Sequence, residues 1–417
     1  MPPVASQASS PLAAPAPADS STLGLRPYKH VFAVFLCGMC AFLDLYCTQP
    51  LLPLLSRVFH ASETSVSLTI SASTLGVAIS AALLAIFAER VDRKRTILTS
   101  MVALALCSLM TATATTLPVL ALWRLLQGLV TPGIFIITIA YITEEWPPLL
   151  VPRVMSVYVA GTVFGGFLGR VSGGVIAQHF GWRFVFLALG LLGLLGAALA
   201  QRLLRPARHR SAVTPHPSPL GPVRNNLRNP RLLATFGIGF CMLFTLVSVF
   251  SYITFYLAAP PFSLSTQQLS WLFTVYLLGL LATLVAGTVL VRIGLRFGML
   301  AAIAISFTGV ATTLIPSLFM VGIGLALAGS GVFIAQTCAN SFLRDAAPTG
   351  ARVSATGMYI FTYYIGGTVG GLLPGLVWKL GGWPACAALT SSFLLLAAFL
   401  AFFGWRPRPP QSDPIPV

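Results

Sequence analysis

Twelve apolar runs, each close to the ~20 residues that carry a helix across a ~30 Å hydrocarbon core, divide this chain at its turn and charge signals. They lie near 31 to 53, 66 to 88, 97 to 116, 118 to 142, 154 to 177 and 182 to 204, then 232 to 257, 267 to 290, 297 to 316, 318 to 342, 353 to 378 and 383 to 405. Hydrophobic residues make up 56% of the 417 positions and charged ones 8%, where a water-soluble domain carries about a quarter charged. A soluble globular fold, a disulfide scaffold, a disordered chain and a nucleic-acid module are excluded. The expected fold class is an all-α membrane protein with twelve transmembrane helices.

The net charge of +16 is then a matter of topology. With the N-terminus inside, twenty of the 25 Lys and Arg fall in inner segments and three (Arg57, Arg183 and Lys379) in outer ones, while Arg124 and Arg170 lie within runs. Basic residues concentrate on the cytoplasmic side, so both termini are expected there. Residues 1–28, rich in Pro, Ala and Ser, and 406–417, with five prolines, are expected to be disordered tails. The first 25 residues hold no Lys or Arg before an apolar run to compare with a secretory signal. All seven cysteines fall within runs, which argues against a disulfide framework.

One long hydrophilic stretch, 205–230, with six prolines and a cluster of arginines, separates 29–204 from 231–405. It reads as a cytoplasmic linker. Marks of the first half return about 200 residues later: Gly165-Gly166 with Gly370-Gly371, and Gly181-Trp182 with Gly382-Trp383. Six spans per half make these parallel repeats, two pseudo-symmetric bundles with a cavity at their interface that rocking opens to one side at a time. Such an architecture favours transport; a non-transporting receptor or scaffold is the alternative from another class.

Several motifs then carry a family resemblance. After the second run the chain reads Ala85-Ile86-Phe87-Ala88-Glu89-Arg90-Val91-Asp92-Arg93-Lys94-Arg95, which resembles the loop between helices 2 and 3 of the major facilitator superfamily, although Ala85 and Asp92 stand where the family has glycines. The resemblance implies a cytoplasmic latch of Glu89, Arg90, Asp92, Arg93 and Arg95, joined by Glu144, Glu145, Arg153, Asp345 and Arg352 in the loops after the fourth and tenth runs. A short basic loop that only sets topology is the competing reading. Leu122-Trp123-Arg124-Leu125-Leu126-Gln127-Gly128 looks like the signature of the family's proton-coupled members. Gly161, Gly165 and Gly169 resemble its antiporter motif and allow close helix packing, with Arg170 where the motif has proline. The same replacement marks a small group of bacterial exporters, the YnfM-like branch, that the chain resembles along nearly its whole length. Gly366, Gly370 and Pro374 repeat the glycine theme, and Pro374 leaves a kink possible.

Asp44 is the one acid inside a run. At 1.5 Å per residue Asp44 and Arg124 lie level, so a switchable pair is geometrically possible: burial favours neutral Asp44, a nearby guanidinium its anion. A permanent ion pair, or an Arg124 that snorkels to the interface, remains open. Arg170 is assigned a neighbouring or substrate-facing charge. Tyr46, Gln49, Gln127, Phe244, Tyr252, Gln336, Asn340, Tyr359 and Tyr363 are the polar or aromatic candidates for facing the cavity, against a packing or lipid-facing role. Cys37, Cys40, Asp44 and Cys47 share a helical face, but one helix cannot wrap a tetrahedral metal site, so no metal is expected. The expectation is a monomeric, non-enzymatic secondary transporter in a bacterial-type inner membrane, exporting a small organic molecule by proton antiport, with the proton gradient in place of any cofactor. Uptake of a small organic anion by proton symport is the alternative.

Overall fold

The structure is a computed structural model and describes residues 26–87, 91–205, 220–348 and 351–405. The regular structure among these residues is all helical, without a strand: α1 (Arg26–Leu43), α2 (Leu52–Val58), α3 (Glu63–Phe87), α4 (Arg93–Ala112), α5 (Leu117–Glu145), α6 (Val151–Phe180), α7 (Trp182–Leu203), α8 (Leu220–Leu227), α9 (Pro230–Ala258), α10 (Thr266–Trp271), α11 (Val275–Ile293), α12 (Leu295–Thr312), α13 (Leu318–Ala346) and α14 (Arg352–Gly404). Among the described residues nine helices are long and apolar enough to cross a membrane, namely α3 to α7, α9 and α12 to α14, with Tyr28–Leu43 a shorter apolar helix. The tails at 1–25 and 406–417 and most of the linker lie outside the described residues. Within the linker region, α8 is helical and docks through Asn226, whose amide donates to the carbonyl of Ala351 at 3.2 Å.

Two runs depart from a single straight helix, and two others join into one bent helix. The first stops at Leu43, turns through 44–48, and resumes as a 3-10 turn (Gln49–Leu51) and α2. The eighth is divided by a 3-10 turn at Leu272–Thr274. In α14, Pro374 leaves the helical backbone unbroken, and the bend falls at Gly381 and Gly382 (φ 59°, ψ −140°). Gly181 (φ 92°, ψ 161°) makes the sharp start of α7, in a backbone region that only glycine occupies at ease. Because nothing lies within 4 Å of a Cβ added there, any loss on substitution is conformational. Gly181→Ala is expected to destabilise the protein by about 1–3 kcal/mol. Gly221→Ala, at a site equally open but not at positive φ, serves as the control, and thermal melts of the purified variants compare them.

Two glycine seams set the helix pairs that matter for the site. A Cβ on Gly161, Gly165 or Gly169 of α6 would run into the backbone carbonyls of Phe35, Met39 and Leu43 on α1. On α14, Gly366 and Gly370 face the carbonyls of Phe240 and Phe244 on α9 in the same way. Subtracting 161 from 366, or 35 from 240, gives the same offset of 205. Contacts between the halves gather at the end remote from Arg26 and Trp405. There Ser71 of α3 donates to the carbonyl of Thr368 (2.9 Å), the hydroxyls of Thr74 and Thr368 meet at 3.1 Å, and Gly174 of α6 abuts Ser270 of α10.

Candidate functional site

The break after α1 follows from Pro50. A proline there has no N–H to give the carbonyl of Tyr46, and its ring would collide with that carbonyl in a continuing helix. With the helix ended, the carbonyls of Asp44 and Leu45 lose their partners four residues on, deep within the protein. Arg124 of α5 supplies them. Its Nη1 donates to the Asp44 carbonyl at 2.8 Å and its Nη2 to the Leu45 carbonyl. The remaining N–H groups reach the Thr69 carbonyl (3.2 Å), Oε1 of Gln127 (2.6 Å) and Oγ of Ser73 (3.3 Å). Arg124 can sit this close to α3 because Gly128 abuts the Ser73 backbone and Gly76 abuts that of Leu125 and Gly128.

The Asp44 carboxylate is held elsewhere. Oγ of Ser108, on α4, donates to its Oδ1 at 2.6 Å. Nε2 of Gln127 donates in turn to Ser108 Oγ at 2.9 Å and to Thr111 Oγ1 at 3.4 Å. A closed circuit results: carboxylate, Ser108, Gln127, Arg124, and the backbone of Asp44 again. Asp44 is 2% exposed and Arg124 0%. The expected carboxylate–guanidinium pair is therefore not made; the ion pairs between described residues are Arg93–Glu144 and Arg344–Asp345. The physical reason is competition: the fork of the guanidinium is filled by carbonyls that the helix break sets free, and Gln127 stands between the two charges.

Arg170 occupies a second buried position, 2% exposed. Its Nε donates to Oε1 of Gln49 at 2.7 Å and its Nη1 to the carbonyl of Gly166 at 2.6 Å. The guanidinium carbon lies 4.8 Å from the ring centre of Tyr46, 5.3 Å from Phe273 and 4.4 Å from Tyr276. Nε2 of Gln49 extends to Oγ of Ser251 on α9 at 3.4 Å. Beside these, Tyr363 and Tyr364 lie 5.5 Å apart between ring centres, Tyr359 and Tyr363 5.9 Å, and Tyr364 approaches Phe135 of the first half at 6.3 Å. The Tyr359 hydroxyl and Oε1 of Gln336 are buried without a hydrogen-bond partner. Every buried charged side chain among the described residues, Asp44, Arg93, Arg124 and Arg170, belongs to the first half.

Other candidates fall away from this centre. Phe244 stacks on Phe393 at 3.9 Å within the second half and is fully buried, so it packs helices rather than lining a cavity. The Tyr252 hydroxyl donates to the carbonyl of Gly371 at 2.8 Å. Asn340 is exposed.

The latch is also placed differently. Glu89 and Arg90 lie outside the described residues. Asp92 caps α4, accepting from the backbone N–H of Arg95 at 2.8 Å, and Arg93 grips Glu144 bidentately at 2.7 and 3.0 Å. That pair joins α4 to α5 inside one half rather than bridging the halves, because the halves meet at the other end. Arg344 and Asp345 are chain neighbours 4.0 Å apart with exposed side chains, a pair of negligible weight. Glu145, Arg153 and Arg352 sit at the ends of α5, α6 and α14, on the same side as that pair.

A profile of the Major Facilitator Superfamily matches residues 34–262 and 243–417. The inner membrane transport protein YnfM of Escherichia coli (strain K12) is 30% identical over 370 residues, 88% of each chain. The uncharacterized MFS-type transporter YybF of Bacillus subtilis (strain 168) is 30% identical over 377 residues, 89% of this chain and 92% of that one. Among solved structures, a bacterial homolog of the human lysosomal transporter Spinster, inward-facing and unoccupied, superimposes with a TM-score of 0.77 at 17% identity, covering 92% of this chain and 97% of that one. The nucleoside transporter NupG gives 0.74 at 15% identity, covering 90% and 100%. Fold and relatives together define a multi-pass membrane transporter for a small molecule. The chain belongs to the Major Facilitator Superfamily, as its motifs lead one to expect.

Proposed function

We propose that this transporter exports a small organic molecule in exchange for protons across a bacterial-type inner membrane. In this reading twelve spans form two six-helix halves, both termini are cytoplasmic, and a cavity between the halves opens to each side in turn. Asp44 carries the proton. The observation that supports this is the circuit from its carboxyl through Ser108 and Gln127 to Arg124, which ties the ionisation of one buried group to the guanidinium holding the break in the first span. Protonating Asp44 weakens the charge-assisted bond from Ser108 and adds an O–H donor that needs an acceptor of its own, which loosens the hydrogen bonds around Gln127. A change of charge thereby becomes a change in the grip on a helix end.

Transport direction tests the reading. In inverted vesicles energised to an acidic interior, solute accumulation inside supports export, and accumulation driven by an inward proton gradient in intact cells overturns it. Uptake of an organic anion by symport is the second reading, favoured by Arg170, a buried cation ringed by aromatic side chains rather than paired with an acid. Ser108→Ala removes the donor to Asp44 while leaving the carboxyl in place. It is expected to shift the pH dependence of transport while retaining measurable flux, which a pH series of initial rates follows. An unshifted profile would take Ser108 out of the circuit.

A further inference from the structure

We propose that Arg170 is the pin that holds the two halves shut at the end remote from the termini, and that this seat must be broken each time the remote end opens. The inference rests on the alternating-access reading above but on neither proton coupling nor transport direction.

The guanidinium is rooted in the first half, by Gln49 and by the carbonyl of Gly166 one turn back on α6. Two of its three rings belong to the second half: Phe273 in the 3-10 turn and Tyr276 at the start of α11. Gln49 adds a second thread across the same seam through Ser251. A cation on an aromatic face is attracted by the ring quadrupole, and the attraction grows as water is excluded; here the cation is 2% exposed. When the halves part at this end, Phe273 and Tyr276 leave with the second half, and Arg170 exchanges two rings for water.

The pseudo-symmetric seam shows that the fold does not need such a pin in order to close. Shifted by 205 positions, Arg170 and Gly166 become Gly375 and Gly371, while Tyr276 corresponds to Ser71. On that side Thr64 and Ser71 of α3 rest directly on the two glycines. One seam closes by small groups alone, while the other adds a guanidinium laid on rings to the contact of Gly174 with Ser270. The second is the seam whose strength a change of side chain can tune without disturbing helix contact.

Ser67, one turn into α3 at the remote end and fully buried, reports opening when changed to cysteine. Labelling by a membrane-impermeant maleimide, followed by peptide-resolved mass spectrometry, leaves the native cysteines in place. Arg170→Met, and separately the double change Phe273→Leu with Tyr276→Leu, are each expected to raise the labelling rate of Ser67→Cys about tenfold, the scale of desolvated cation–aromatic contacts. The triple variant is expected to exceed neither, because both remove the same contact. Unchanged rates in folded protein, or a triple effect equal to the product of the two, overturns the proposal. Should Arg170→Met not fold, the ring variant decides alone, since it deletes no buried charge. A protein that is not proton-coupled would still give the expected labelling pattern, so the two failures are distinguishable.

Discussion

Replacing Asp44 with asparagine is expected to abolish gradient-driven transport to the level of protein-free vesicles while sparing exchange of substrate across the membrane. The substitution keeps the shape of the side chain and an oxygen able to accept from Ser108, so the circuit can persist. What it removes is the capacity to take up and release a proton. Exchange needs only the loaded halves to rock, whereas net accumulation against a gradient needs the coupling ion to move as well. The measurement is a pair of assays on one preparation: counterflow of labelled substrate, and accumulation on imposing a proton gradient. Driven accumulation that persists in Asp44→Asn removes this carboxyl from energy coupling, whatever the counterflow shows.

The second large effect concerns stability. Arg124→Met fills much of the same volume but leaves Oε1 of Gln127 without its donor and the carbonyls of Asp44 and Leu45 with only long contacts, 3.4 Å from the Cys47 N–H and from the Ser73 hydroxyl. A buried group so orphaned costs ~1–3 kcal/mol, and with partial relaxation we expect a total loss of roughly 3 kcal/mol or more. Arg124→Lys recovers only part of this, because an ammonium has three donors on a point charge where the fork spreads five over a plane. Thermal melts of detergent-purified protein are expected to rank native, Lys and Met in that order. A melt unchanged in Arg124→Met would mean that the break in the first span is held by other means.

The residues that could be read from sequence are those whose type is expensive in an apolar run. Asp44, Arg124 and Arg170 announce themselves because a charge in hydrocarbon is costly, and all three are buried at the centre of the site. Ser108 and Tyr276 give no such signal, since a serine or tyrosine in an apolar helix is unremarkable until its neighbour is known. The break at 44–48 did leave a trace, in Pro50 and Pro53, but two prolines near the end of an apolar run also suit a helix terminus, and length favours an unbroken span. The glycine seams were legible because spacing by four puts small residues on one helical face. The latch was not: the partner of Glu144 depends on which helix ends approach one another in this state, and that is a property of the assembled halves. Phe244 was misplaced for a similar reason, as its sequence carries no record of Phe393 lying 3.9 Å away.

All the deeply buried ionic groups among the described residues reside in the first six helices. Through any rocking of rigid halves, Asp44, Arg124 and Arg170 therefore keep their mutual distances, and their interaction changes only as the medium around them does. What varies is the dielectric and the quadrupoles that a neutral facing wall presents to them. The electrochemistry of this carrier would then arise from solvation alternately granted and withdrawn by a facing half that buries no charged side chain among the described residues, and its sensitivity to membrane voltage would be carried mainly by the first half.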